Sequence, residues 1–136
     1  MPSSLRKSGK MRIMVVDDEP DAVAVVGKML KKAGYDVIGA YSGRECLEKL
    51  KKEKPDLILL DVMMPDILGW DVCKKIKEDE ATKSTPVAML TVKSTDEDKG
   101  RSFKYAHCDA HINKPIIKEK LLSTVEWLLK NIPKKR

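Results

Sequence analysis

The chemistry this sequence could perform rests on a few short motifs: Asp17-Asp18-Glu19, Asp61, Thr91 and Asn113-Lys114-Pro115. Each directly follows a short apolar run, at 13–16, 57–60, 87–90 and 110–112. Taken singly, none is informative. An Asp after a strand is usually a turn former or helix N-cap. A lone Thr at that place is an ordinary strand-end residue, Lys114 a surface lysine, and Glu19 a solvated acid in a first helical turn. Taken together they form a set suited to phosphoryl transfer. Carboxylates without a His or Cys partner favour a hard cation such as Mg²⁺. A carboxylate can act as a nucleophile toward phosphorus. An ammonium and a cation can neutralise charge on the phosphoryl oxygens, and a hydroxyl can donate a hydrogen bond to them. Phosphoryl transfer needs little more than such positioning and charge stabilisation.

Whether these residues meet depends on the elements that carry them. The runs IMVV, LILL, VAML and AHI, with a weaker one at Val37–Ala40, are too short for helices. Most are continuously apolar, the pattern of strands buried on both faces of a parallel sheet. Helical spacing links them. Val23, Val26, Met29, Leu30 and Ala33 share one face over Pro20–Ala33, with Gly34 expected as the C-cap. Ser42 is placed to cap a helix bearing Cys46, Leu47 and Leu50. Trp70, Cys73 and Ile76 make a stripe over 69–78. Ser94 or Thr95 opens a polar helix that packs through Phe103 and Ala106. The last helix, over 117–130, presents Leu121, Leu122, Val125, Leu128 and Leu129, and Pro133 ends it. Five strands alternating with five helices predict an α/β, doubly wound (βα)5 flavodoxin-like fold with a five-stranded parallel sheet of order 2-1-3-4-5. In such sheets ligands bind beyond the carboxyl ends of the strands, where all the motifs fall.

Composition narrows the function classes. A chain of 136 residues suits one domain with its own core. No apolar run approaches the ~18–20 residues of a membrane span, and the N-terminus has no apolar segment of signal-peptide type. The net charge of +6 sits at the ends. Residues 1–12 and 130–136 carry eight basic side chains and no acid, whereas 13–129 carry 19 basic and 21 acidic ones. The ends read as a basic extension over 1–10 and a basic tail over 131–136, flanking a domain at 11–130. With six residues of Phe, Trp or Tyr, no aromatic platform for nucleic acid is visible. Cys46, Cys73 and Cys108 show no metal-ligand spacing and read as reduced thiols of a cytoplasmic protein.

From residue 11 to about 130 the sequence resembles the receiver domain of two-component response regulators. The motifs are V-V-D-D-E at 15–19, D-V-M-M-P at 61–65 with Gly69 downstream, L-T at 90–91 and K-P at 114–115. The resemblance implies that Asp61 is the phosphoacceptor, charged by a phosphohistidine on a sensor histidine kinase or a histidine phosphotransfer protein. It implies that Asp17, Asp18 and Asp61 hold Mg²⁺ with the backbone carbonyl of Met63. Lys114 would pair with the phosphoryl group, its bond to Pro115 would be cis, and Thr91 would move toward the phosphoryl oxygens. The chain departs from the family pattern in several places. His111 stands where receivers often place an aromatic switch residue, Val92 where a small residue usually follows the switch Thr, His107-Cys108 where Gly-Ala is common, and Leu68 where Asp often precedes Gly69.

The expected function is therefore that of a stand-alone response regulator, not an enzyme, signalling through protein contact or phosphorelay as a monomer or weak homodimer. Three other readings fit the sequence less well. A haloacid-dehalogenase-type phosphatase wants D-x-D on strand one, not adjacent Asp17-Asp18. A phosphorylation-independent scaffold would not need the whole site. A nucleic-acid binder driven by the basic ends lacks a groove-reading motif. Residues near the acceptor also predict the lifetime of the signal. Met63 is apolar and crowds the line of water attack, Lys93 is a poor base, and Val92 adds bulk.

Overall fold

The computed structural model describes residues 9–92 and 107–131. Five strands, β1 (Arg12–Val16), β2 (Asp36–Ala40), β3 (Leu57–Asp61), β4 (Val87–Thr91) and β5 (Ala110–Asn113), form one parallel sheet in the order β2-β1-β3-β4-β5. The described helices are α1 (Pro20–Lys32), α2 (Gly43–Glu53), α3 (Gly69–Glu78) and α4 (Lys118–Asn131). This is the flavodoxin-like α/β architecture expected from the alternation of elements. The helix expected over Ser94–Ala106, and Pro133 after the last helix, lie outside the described residues. Among the described residues no helix is long and apolar enough to cross a membrane.

The continuous apolar strands are explained by the two cores they feed. Along a strand successive side chains point to opposite faces. Ile13 and Val15 of β1, Leu57 and Leu59 of β3, and Ala88 and Leu90 of β4 pack under α1 and α4 through Val26, Leu30, Leu121 and Val125. Their neighbours Met14, Val16, Ile58, Leu60, Val87 and Met89 pack under α2 and α3 through Cys46, Leu50, Cys73 and Ile76. Burying a Leu or Ile on either face is worth about 1.5–3 kcal/mol. Both alternating sets must therefore be apolar, and no polar phase is left for sequence periodicity to show.

Helix ends follow local chemistry. Pro20 opens α1, where its fixed φ and missing N–H cost nothing. Gly34 is not itself the C-cap: Ala33 is, and Gly34 follows it at φ +101°. Gly34 N donates to Lys31 O and Tyr35 N to Leu30 O, so the carbonyls at the end of α1 are closed in a Schellman arrangement. Ser42 does cap α2, its side chain accepting from Glu45 N at 3.0 Å. The Glu45 carboxylate reaches back to Tyr41 N at 2.7 Å.

Candidate functional site

Strand register aligns the motifs. Val16 pairs with Leu60, so Asp17 and Asp61 are the next residues at the carboxyl ends of adjacent strands. Thr91 ends β4 and pairs with Asn113, the residue before Lys114. Asp17 and Asp61 are buried, Thr91 is buried, and Asp18 and Glu19 are exposed. One carboxylate oxygen from each of Asp17, Asp18 and Asp61 lies within 4.8 Å of the others. Glu19 is not in this cluster. It is the N-cap residue of α1, and its N–H donates to Asp17 Oδ1 at 3.0 Å. The Lys114 ammonium donates to Asp17 Oδ2 at 2.9 Å and to Asp61 Oδ1 at 3.2 Å. Its backbone N–H donates to Thr91 O at 2.8 Å, and the Lys114–Pro115 bond is cis.

The electrostatics mark Asp61 as the strained member. Burial pushes its carboxyl above the ordinary range, and the neighbouring Asp17 charge adds to this. The Lys114 charge and hydrogen bond only partly offset them. For Lys114, burial works against the charge, but the Asp17 hydrogen bond and the Asp61 charge outweigh it and its pKa is raised. Asp61, the neighbouring carboxylates and the Lys114 cation thus form one unit with the ammonium held charged. Three oxygen donors and no soft ligand are the donor set of a hard divalent cation. The residues present fit such an ion.

The remaining expected residues fall around this unit. Met63 and Val92 project outward, 51% and 68% exposed, on the loops after β3 and β4. Lys93 lies outside the described residues. His111 pairs in register with Met89, two residues before Thr91, so Thr91 and His111 share one face of the sheet. The His111 Nε2 atom is 4.0 Å from Cys108 Sγ. Gly69, part of the motif read in the sequence, donates its N–H to Val62 O at 2.7 Å and presses the start of α3 against the end of β3. One contributor, Asp66, carries no signal in the sequence. The Asp66 carboxylate accepts from Gly43 N at 3.1 Å and Arg44 N at 2.9 Å, tying the loop after β3 to α2. Slight burial raises the Asp66 pKa, but the backbone N–H groups of Arg44, Gly43, Ile67 and Asp66 itself together outweigh this and hold it below the ordinary range. A Pro-Asp pair at 65–66 signals only a turn, and no local signal names a helix 22 residues away as its partner.

The cysteines stand apart from the chemistry. None of the three forms a disulfide, and all are buried. Burial pushes Cys46 and Cys73 up to about 12 each, with smaller contributions from Glu45 and Cys108 respectively. At pH 8 the thiolate fraction of each is therefore about one in ten thousand. In the folded protein these two thiols are expected to react with a disulfide reagent at least about a hundredfold more slowly than in urea, because only the thiolate attacks. Equal rates in the two conditions, followed by peptide mapping, would contradict their burial.

Comparison with known proteins agrees with this geometry. A family model described as "Response regulator receiver domain" matches residues 13–126. The chain is 38% identical over 119 residues to the alkaline phosphatase synthesis transcriptional regulatory protein PhoP of Bacillus subtilis, covering 88% of this chain and 48% of PhoP. It thus spans about half of that relative. It is 36% identical to Protein PilG of Pseudomonas aeruginosa, covering 89% of each. Among solved structures, the Vibrio cholerae chemotaxis protein CheY4 superposes with a TM-score of 0.82 at 33% identity, covering 86% of this chain and 97% of that one. Receiver domains are signalling domains rather than classical enzymes; histidine kinases phosphorylate them, and they bind Mg²⁺ at an acidic pocket. The chain belongs to the response regulator receiver domain family and serves two-component signal transduction.

Proposed function

We propose that Asp61 is the phosphoacceptor of this chain and that residues 11–130 are the unit that carries the reaction. One observation supports this most strongly: Asp61, Asp17 and Asp18 cluster within 4.8 Å, and Lys114 bridges Asp17 and Asp61. A carboxylate oxygen of Asp61 attacks the phosphorus of a phosphohistidine on a sensor kinase or histidine phosphotransfer protein. The new O–P bond forms as the P–N bond breaks, and the imidazole keeps the electron pair and takes a proton. Asp17, Asp18, Asp61 and the Met63 carbonyl would hold Mg²⁺. When bound, the ion supplies charge neutralisation at the phosphoryl oxygens. The Lys114 ammonium, already charged and within reach of Asp61, pairs with the incoming group. Thr91 turns toward the phosphoryl oxygens, and His111, on the same sheet face, follows it as the second switch residue. The response passes on by protein contact or by transfer to another histidine. The test is incubation with acetyl phosphate and Mg²⁺, followed by intact mass and peptide mapping. The mass gain of one phosphoryl group, on Asp61 and lost with EDTA, is expected. A gain elsewhere, or one indifferent to EDTA, contradicts the assignment.

The lifetime of the phosphorylated state follows from the same residues. Hydrolysis needs a water in line with the leaving carboxylate, and Met63 beside the acceptor offers no useful donor or acceptor to hold one. Val92 and Lys93 add bulk and a non-basic cation. The phosphorylated protein is therefore long-lived and needs a partner, or back-transfer, to clear it. After donor removal with Mg²⁺ present, decay is expected over minutes or longer and to be several-fold faster in Met63→Asn. Decay within seconds, or no acceleration in the variant, removes this reading.

A further inference from the structure

The loop after β3 runs from Val62 to Leu68 and would contribute the Met63 carbonyl to the metal site. Its ends are held by backbone bonds, Val62 N to Leu90 O at 3.1 Å and Gly69 N to Val62 O at 2.7 Å. Val62 and Met64 are buried on either side of exposed Met63. These bonds hold the two ends of the loop, and rotation about the line joining them is the motion that two end bonds resist least. The polar tie farther along is Asp66, whose two carboxylate oxygens each accept a backbone N–H from the first two residues of α2. Packing at the same place is close. A Cβ added at Gly43 would lie 2.8 Å from Val72 Cγ2 and 3.1 Å from Ile67 Cβ, so this glycine lets α2 approach the loop.

We propose that Asp66, clamped to the N-terminus of α2 across Gly43, is a positioning residue that fixes the loop presenting the Met63 carbonyl and thereby sets metal affinity. This rests on the Mg²⁺ site proposed above. A bidentate tie to two consecutive amides resists the rolling motion that a single contact would allow. The same amides are free N–H groups of a helix start, which favour a carboxylate partner. The Asp66 carboxylate is not one of the three clustered carboxylates; its hydrogen bonds run to α2, and it acts through the loop. Residues that orient ligands in this indirect way typically change metal affinity by about 10–100-fold when removed.

Ser42 provides the control, because its side chain caps the same helix start by accepting from Glu45 N, within α2. Removing either cap costs the helix about 1 kcal/mol. Only Asp66 should change the metal site. Mg²⁺ titration calorimetry on the full chain is the measurement, with thermal melts alongside. Asp66→Ala is expected to weaken Mg²⁺ binding about tenfold, Asp66→Asn to recover part of that loss, and Ser42→Ala to bind as wild type despite a similar drop in Tm. Wild-type Mg²⁺ affinity in Asp66→Ala, or an equal loss in Ser42→Ala, overturns the clamp and leaves the metal site standing. Failure of the wild-type protein to bind Mg²⁺ overturns the site itself and the clamp with it.

Discussion

Replacing Asp61 by Asn is expected to abolish Mg²⁺-dependent incorporation of phosphoryl groups while making the metal-free protein more stable. The two effects have one cause. Asp61 is buried beside Asp17, so its charge is held at a cost in the folded state that Lys114 only partly offsets. A carboxyl whose folded pKa is raised binds its proton more readily folded than unfolded, so its ionisation destabilises the fold at neutral pH. That penalty fades as pH falls through the raised folded value toward the ordinary 3.8. Without metal, Asp61→Asn should melt above wild type at pH 7, and the gap should close in acid. Added Mg²⁺ should reverse the order. An ion at about a hundred times its Kd stabilises by about 2.7 kcal/mol, and only the protein with all three carboxylates gains this in full. Intact mass after acetyl phosphate treatment, and melts with and without Mg²⁺ at two pH values, check both arms. A variant that still takes up phosphate on the same peptide, or melts below wild type without metal at pH 7, would contradict this account of the site.

Among the described glycines, Gly69 should be the one where a change to Ala is most damaging. The added Cβ would stand 2.2 Å from the Asp61 carbonyl oxygen and 2.8 Å from Val62 Cα. Both are backbone atoms at the end of β3 and its exit, so neither can swing aside as a side-chain tip would. Accommodating it must move the start of α3 away from β3 and lengthen the 2.7 Å bond from Gly69 N to Val62 O. Overpacking typically costs about 1–3 kcal/mol, occasionally more, and backbone on both sides places this site at or above the top of that range. Tm should fall by about 10 °C, and phosphorylation should slow because Asp61 itself is displaced. Gly27→Ala is the matched comparison. There the new Cβ meets only Val37 Cγ1 at 3.4 Å, an ordinary contact inside α1. Ala is favoured over Gly in a helix interior by about 0.5–1 kcal/mol, so this variant should melt at or above wild type. If both variants melt alike, close approach at Gly69 is not what sets the geometry.

Much of this was legible in the chain itself. The apolar runs place β1, β3 and β4 to within a residue of their observed bounds. They do so because a strand buried on both faces must be apolar at every position. Helical stripes and the Ser42 cap were equally readable, since an i to i+3 hydrogen bond and a 3.6-residue period are local properties. Even the convergence of Asp17, Asp61, Thr91 and Lys114 followed from sequence, because parallel strands of near-equal length must end at one edge. Two things were decided only in three dimensions. The C-cap of α1 is Ala33, one place before the expected Gly34, since the end of that helix is set by which carbonyls the chain closes on. Asp66 and Gly69 acquire their roles from α2 and β3, elements 22 and 8 residues upstream at their contact atoms. Neither a bidentate tie to a helix start nor a 2.2 Å approach to a backbone oxygen has a period or a motif. Such contacts exist only after the sheet has brought the pieces together.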